Sequence, residues 1–209
     1  MLYIFDFDGT LADSVDGIVA AMQAAISDVS LQQRSHTQVS NIIGLGLAEA
    51  LQTLFPGIDD RKAEQAAERY SHHFINDHSG LVLFDGVESV LQSLKESGHS
   101  LAIATGKSRR GLNRVFGSSS LQQYFSYSRC ADETMSKPHP LMLNELLAET
   151  GIDACEALMV GDTTYDMEMA YRVSMPSVAV SYGVHDSADL LVHKPIKIID
   201  GLSELLTLI

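Results

Sequence analysis

The chain has 209 residues, enough for one large domain or two smaller ones. Its composition, 45% hydrophobic and 20% charged residues, is ordinary for a globular protein with a sizeable core. The formal net charge of −13 argues against a nucleic acid partner, because binding to a polyanion normally requires a basic face.

The N-terminal residues contain no basic stretch and reach an aspartate at position 6, a pattern unlike a signal peptide. No hydrophobic run approaches the length that spans a bilayer. We therefore expect a cytoplasmic protein without a membrane partner.

The first predicted element is a strand at residues 2–5, where consecutive hydrophobic residues indicate burial on both faces of a parallel sheet. Asp6 and Asp8 follow this strand directly. The carboxyl ends of parallel strands form the ligand-binding edge of open α/β folds, so both carboxylates are expected at that edge. Burying a carboxylate without a partner is costly, and Mg²⁺, which prefers oxygen ligands, is the natural cation to accompany them.

The next segment, residues 14–81, is predicted to contain helices and no strand. Hydrophobic periodicity predicts helices at about 15–29, 48–55 and 59–76, whereas the polar residues 30–40 predict an irregular connection. We interpret residues 14–81 as a small all-helical domain inserted after the first strand.

Strands and helices alternate in the remainder of the chain. Short hydrophobic runs predict strands at 101–105, 127–130, 157–160, 177–180 and 197–199, separated by helical segments and followed by a C-terminal helix. Such alternation predicts a parallel α/β sheet. Residues 1–13 and 82–209 are therefore expected to form an α/β core.

Chemically active residue types follow several of these strands. Thr105 and Gly106 end the second strand, and Lys137 lies in a later loop. Asp162 ends another strand, and Asp166 lies one helical turn further along. In a parallel sheet these positions meet in one crevice. With the first two aspartates they supply metal ligands, a hydroxyl donor and a fixed ammonium, which phosphoryl transfer through an aspartyl-phosphate requires.

Each residue also has a purely structural interpretation. Asp8 could form a turn, and Asp162 could cap a helix. Thr105 could be a strand end, Lys137 a solvated loop lysine, and Asp166 a residue on a helix surface. These interpretations require several coincidences at one sheet edge, so we favour the catalytic interpretation.

The ordered motifs resemble the haloacid dehalogenase-like hydrolase superfamily. The resemblance is carried by the following residues: Asp6-Phe-Asp8-Gly-Thr10, Thr105, Lys137 and Gly161-Asp162-Thr-Thr-Tyr-Asp166. It implies a Rossmann-like parallel sheet core, with residues 14–81 forming a helical cap of the C1 type.

The resemblance also implies catalytic roles. Asp6 would attack the phosphorus atom, and Asp8 would protonate the leaving oxygen and then activate water. Thr105, with the backbone amide of Gly106, would bind the transferring phosphoryl group. Lys137 would neutralise the charge that the nucleophile shares with the phosphoryl oxygens.

The implied Mg²⁺ site consists of the Asp6 carboxylate, the Asp8 backbone carbonyl and Asp162. Asp166 would act through a water molecule or by orienting Lys137. So few protein ligands suffice because Mg²⁺ keeps water and phosphate oxygens in its shell.

Two residues of the first motif bear on the subclass. Asp8 favours phosphate chemistry, because the halide leaving group of a dehalogenase needs no proton. Thr10, a further candidate phosphate-binding residue, replaces the valine typical of the sugar-phosphate mutase branch and favours hydrolysis.

The Ile-Ile-Gly-Leu-Gly-Leu segment at residues 42–47 is similar to the loop that C1 caps lower over the active site. Gly44, Leu45 and Gly46 are therefore candidate substrate-binding residues, since glycines allow close backbone approach. The alternative is a flexible turn between helices with two core isoleucines. The loop and the strand-end motifs look most like those of phosphoglycolate phosphatases, but the loop offers no cation for the glycolate carboxylate.

The predicted function is therefore Mg²⁺-dependent hydrolysis of a small phosphorylated metabolite, similar to that of phosphoglycolate phosphatases, by a monomer or weak dimer. Sugar phosphates and nucleoside monophosphates remain open as substrates. Alternative activities are a phosphomutase similar to β-phosphoglucomutase and an inorganic pyrophosphatase. A regulator that binds phosphate without turnover is disfavoured, because no position of the catalytic set is missing.

Overall fold

The computed structural model describes residues 1–76 and 80–208. Six strands form one sheet in the order β3-β2-β1-β4-β5-β6, and every neighbouring pair is parallel. The strands are β1 (Leu2–Phe5), β2 (Ser100–Thr105), β3 (Tyr127–Cys130), β4 (Ala157–Gly161), β5 (Ser177–Val180) and β6 (Lys197–Ile199). The predicted α/β class with a parallel sheet is confirmed.

Nine α-helices lie within the described residues. They are α1 (Val15–Asp28), α2 (His36–Ser40), α3 (Leu47–Leu54), α4 (Asp60–Asn76), α5 (Val87–Glu96), α6 (Arg109–Gly117), α7 (Leu141–Thr150), α8 (Thr164–Arg172) and α9 (Ser187–Leu190). None of the helices in this described part of the chain is long and apolar enough to cross a bilayer.

The central strand β1 is buried on both faces of the sheet. Tyr3 and Phe5 pack into one hydrophobic cluster with α5 and α6. Leu2 and Ile4 point to the opposite face and pack into a second cluster with α7 and α8. This alternation of side chains explains why a wholly hydrophobic run is required at β1.

One local prediction was wrong. Residues 30–40 were expected to be irregular, but they contain α2, which begins with a capping box. Ser35 Oγ accepts a hydrogen bond from the Gln38 amide, and Gln38 Oε1 accepts one from the Ser35 amide. The predicted C-terminal helix is present, as a 3₁₀-helix at Leu202–Thr207.

Helices α1 to α4, called the helical unit below, enclose a hydrophobic cluster of their own. The chain enters and leaves this unit through two adjacent segments. The Asp13 amide donates to the Val82 carbonyl at 3.0 Å, and the Phe84 amide donates to the Leu11 carbonyl at 3.1 Å. We propose that residues 14–81 form a cap domain hinged at these segments; residues 77–79 of this range lie outside the described part.

Candidate active site

The sheet order brings the predicted strand-end residues together. β1 lies between β2 and β4, so Asp6 and Asp8 are flanked by Thr105 at the end of β2 and by Asp162 after β4. Lys137 reaches the same edge from the loop after β3, and its ammonium contacts Asp6. The carboxyl edge of the sheet is therefore the candidate active site, as such edges are in open α/β folds.

Lys137 is buried between two carboxylates. Its Nζ lies 2.7 Å from Asp6 Oδ1 and 2.7 Å from Asp166 Oδ1, and all three residues are almost fully buried. Burial lowers the pKa of Lys137, but the carboxylates of Asp166 and Asp6 outweigh this effect and leave the pKa above its ordinary value. Lys137 is therefore a permanent cation in the site.

Asp166 holds this lysine in place. Its Oδ1 accepts a hydrogen bond from Lys137 Nζ at 2.7 Å, and its Oδ2 accepts one from Thr163 Oγ1 at 2.6 Å. Thr163 is the N-cap of α8, and the two residues form a capping box. Asp166 is thus buried rather than on a helix surface, and its contacts suit a residue that orients Lys137.

Asp162 lies in a tightly fitted polar cradle. Its Oδ1 accepts a hydrogen bond from Thr10 Oγ1 at 2.7 Å, and its Oδ2 accepts one from the Val184 amide at 2.9 Å. A Cβ on Gly9 or Gly183 would lie 2.2 Å from an Asp162 atom, so both positions require glycine. Thr10, a predicted phosphate-binding residue, is fully buried and directs its hydroxyl to Asp162.

The pKa of Asp162 is raised to about 7, mainly by burial and then by the charge of Asp166, against the opposing hydrogen bonds from Thr10 and the Val184 amide. The pKa of Asp6 is also raised, first by burial, with Lys137 lowering it and Asp166 and Asp162 raising it. Burial is the main cause of both shifts, and the neighbouring carboxylates add to it.

The donor set fits a hard divalent cation. Carboxylate oxygens of Asp6, Asp162 and Asp166 lie within 4.8 Å of one another. Asp6 Oδ2 is buried and has no hydrogen-bond donor among the described residues, while Oδ1 meets Lys137 without hydrogen-bond alignment. Oxygen ligands and unbalanced charge suit Mg²⁺.

Asp8 has a different environment from Asp6. Its Oδ1 accepts a hydrogen bond from Ser14 Oγ at 2.6 Å and lies 2.8 Å from Lys107 Nζ. That ammonium lies between two rings, 5.5 Å from the centre of Phe7 and 5.0 Å from the centre of Phe74. Sequence reasoning did not identify this ion pair, because Lys107 and Asp8 lie far apart in the chain.

Thr105 and Gly106 end β2 beneath the loop at residues 44–46. Thr105 is fully buried, and its Oγ1 accepts a hydrogen bond from the Lys107 amide at 3.2 Å. A Cβ on Gly106 would lie 2.6 Å from the carbonyl oxygens of Gly44 and Leu45. The loop backbone therefore packs directly on the phosphate-binding candidate Gly106.

The same loop contacts the rest of the site edge. The Gly46 amide donates a hydrogen bond to Ser136 Oγ at 2.8 Å, and Gly44 adopts a φ of +102° beside Thr163. Ile42 and Ile43 are core residues of the helical unit, as the structural alternative expected, whereas substrate binding by this loop stays a prediction.

A further contact joins the helical unit to the sheet edge and was missed by sequence reasoning. Tyr165 donates its hydroxyl hydrogen bond to the Asn41 carbonyl at 2.9 Å. His185 stacks edge-on against Tyr165, and its Nδ1 accepts a hydrogen bond from the Thr164 amide at 2.9 Å. No local sequence pattern could have shown this contact, because Tyr165 and His185 are each more than a hundred residues from Asn41 in the chain.

Comparison with known proteins settles the family. The sequence model described as haloacid dehalogenase-like hydrolase matches residues 3–180. The chain belongs to this family. The resemblance of its motifs to this family is thereby confirmed.

Two curated relatives in this family match over nearly the whole chain. A protein of Dickeya dadantii (strain 3937) named Probable phosphatase IndB is 35% identical over 209 residues, covering 97% of this chain and 90% of the relative. A protein of Aliivibrio fischeri (strain ATCC 700601 / ES114) named Phosphoglycolate phosphatase is 30% identical over 217 residues, covering 100% of this chain and 96% of the relative.

The fold is shared with solved structures. The crystal structure of a hydrolase from Pseudomonas syringae matches with a TM-score of 0.90 at 23% identity, covering 99% of this chain and 96% of that chain. At this identity the likeness concerns the fold alone.

Proposed function

We propose that this protein is a Mg²⁺-dependent phosphatase that hydrolyses a small phosphate monoester through an aspartyl-phosphate on Asp6. The observation that carries the proposal is the contrast between two carboxylates at the end of β1. Asp6 is buried against Lys137 with one oxygen free of donors among the described residues, whereas Asp8 is bound to Ser14 and Lys107. Two carboxylates in different environments can take different roles, here Asp6 as the nucleophile and Asp8 as the general acid and base.

In the first step an Asp6 oxygen forms a bond to phosphorus as the bond from phosphorus to the leaving oxygen breaks. Asp8 donates its proton to that oxygen, and the alcohol departs. In the second step Asp8 removes a proton from water, which attacks the phosphorus atom. Inorganic phosphate is released, and Asp6 is regenerated.

The remaining residues position these groups and balance charge. Lys137, held by Asp166, stays next to Asp6 and neutralises charge on the phosphoryl oxygens. The hydroxyl of Thr105 and the amide of Gly106 bind the phosphoryl group. Mg²⁺, bound by Asp6, Asp162 and the Asp8 carbonyl, would reduce the repulsion between the nucleophile and the phosphate dianion.

The names of the relatives support phosphate monoester hydrolysis, and phosphoglycolate is the substrate named for the Aliivibrio fischeri protein. We propose a small cytoplasmic phosphorylated metabolite as the substrate and a monomer or weak dimer as the active form.

The direct test measures hydrolysis of p-nitrophenyl phosphate in Mg²⁺ by the wild type and by Asp6→Asn. We expect the variant to lose roughly 10³-fold or more in kcat, because no other group can form the covalent intermediate. Asp13→Asn, an exposed aspartate close in the sequence, is the matched control. If Asp6→Asn hydrolyses the ester with the kcat of the wild type, Asp6 is not the nucleophile.

A further inference from the structure

A cavity of about 300 Å³ lies between the helical unit and the carboxyl edge of the sheet. Asp8 and Lys107 border it on the side of the sheet, and α1, α3, α4 and α6 supply the other walls. Asp6 does not line the cavity, so the two catalytic carboxylates of the proposed mechanism face different spaces.

The position of Asp8 assigns the cavity to the leaving group. In the proposed mechanism Asp8 transfers its proton to the oxygen of the departing alcohol, so this oxygen must lie within hydrogen-bond reach of Asp8. The rest of the alcohol then extends away from Asp6 and into the cavity. Its walls therefore select the alcohol and not the phosphate.

The inner walls are apolar and aromatic. Ile18 and Met22 from α1 and Ile43 from the loop line one side, and all three are almost fully buried. Tyr70 and Phe74, one turn apart on α4, line another side and stack with ring centres 5.7 Å apart. An apolar or planar group in contact with these walls is removed from water together with them, which favours its binding.

The charges around the cavity do not favour a small anionic alcohol. The cation next to Asp8 is Lys107, which already pairs with that carboxylate at 2.8 Å. Farther out, the lining includes two exposed cations, Arg110 and Arg114, and two exposed anions, Glu49 and Asp132. The outer part therefore carries charges of both signs. A glycolate would also leave most of the apolar wall in contact with water, an unfavourable arrangement.

We propose that the preferred substrates are phosphate monoesters whose alcohol carries a bulky apolar or planar body, larger than glycolate, that fills this cavity. The inference rests on the proposed phosphatase function and adds the class of the alcohol to it.

The test compares kcat/KM for 2-phenylethyl phosphate and ethyl phosphate, whose leaving oxygens have similar basicity and which differ in the apolar body. The wild type is expected to prefer the phenylethyl ester by roughly 10- to 100-fold in kcat/KM, the ratio that corresponds to the free energy of burying a phenyl group. Phosphoglycolate is expected to be hydrolysed less efficiently than the phenylethyl ester.

Two cavity-filling variants extend the test. Ser71→Phe on α4 and Ala48→Phe on α3 place a ring into the cavity from exposed positions on its wall. Each is expected to lower the preference for the phenylethyl ester at least about fivefold, because the ring occupies the volume that the phenyl group needs. Glu64→Phe, an exposed residue of α4 outside the cavity lining, is the matched control and should retain the wild-type preference.

A preference of the wild type for ethyl phosphate or phosphoglycolate would overturn the inference while leaving the phosphatase function intact. An unchanged preference in both filling variants would also overturn it. Failure to hydrolyse any ester, including p-nitrophenyl phosphate, would contradict the proposed function and the inference together.

Discussion

Lys107 Nζ lies 2.8 Å from Asp8 Oδ1, so a cation that follows β2 is bound to the carboxylate proposed as the general acid. The same ammonium is 5.0 Å from the ring centre of Phe74, a residue of the helical unit. The orientation of Asp8 is therefore linked to the packing of α4 over the sheet. We propose that the packing of the helical unit over the sheet and the placement of the acid are coupled.

Replacing Lys107 by methionine tests this coupling. We expect kcat to fall by roughly tenfold, because placement is only a part of the contribution of about 10²- to 10⁴-fold made by a general acid. Lys107→Arg should recover part of the loss, since it restores the positive charge. Lys62→Met, on α4 and outside the cavity lining, is the control, and steady-state kinetics with p-nitrophenyl phosphate provide the measurement. A change in KM alone would show that Lys107 binds substrate without positioning Asp8.

Lys137→Met is expected to destabilise the fold as well as to abolish activity. The substitution leaves Asp6 and Asp166 buried without their shared cation, and breaking such a pair costs about 3–5 kcal/mol of unfolding free energy. Urea unfolding in EDTA measures the loss without a contribution from bound metal.

A double-mutant cycle identifies the source of this loss. Adding Asp166→Asn to Lys137→Met removes one unbalanced charge, so the double variant should be less destabilised than the sum of the single variants. Strict additivity would show that Lys137 and Asp166 do not interact in the folded protein.

The elements that sequence reasoning found are those with a local signal. The hydrophobic runs that form β1 and β4 end directly in aspartate or glycine, so their position and their role in the site follow from adjacent residues. The short helix α2 was missed because its capping box, Ser35 and Gln38, lies in a polar stretch without hydrophobic periodicity.

Contacts between distant segments could not be predicted in the same way. Lys137 and Asp166 were assigned to one crevice because the carboxyl ends of parallel strands share an edge, and their Nζ to Oδ1 distance of 2.7 Å bears out their proximity. The contact of Lys107 with the ring of Phe74 depends on how α4 packs over the sheet. Hydrophobic periodicity shows which face of a helix is buried, but it does not show which side chain of another segment the helix meets.

Mg²⁺ is expected to stabilise the protein more at pH 8 than at pH 6. The pKa of Asp162 is raised from its ordinary 3.8 to about 7, so the folded protein binds more protons than the unfolded chain between these values. Stability without metal therefore falls as the pH rises through this window, and it stays low above it. Mg²⁺ binds the ionised carboxylates and offsets the repulsion, so its benefit grows with pH.

Thermal unfolding with Mg²⁺ and with EDTA at the two pH values measures this effect. Asp162→Asn should remove most of the difference, whereas Asp13→Asn, at an exposed position, should retain it. An equal gain in Tm from Mg²⁺ at pH 6 and pH 8 would contradict the prediction.

Gly106→Ala tests whether the loop at residues 44–46 must pack on the sheet edge during catalysis. The new Cβ would lie 2.6 Å from the carbonyl oxygens of Gly44 and Leu45, which forces the loop away from the site. We expect kcat/KM to fall by about 10- to 100-fold, since displacement of positioning groups by an ångström has effects of this size. Gly117→Ala is the matched control, because a Cβ there meets no atom within 4 Å. Full activity of Gly106→Ala, with an unchanged Tm, would show that hydrolysis does not require this contact.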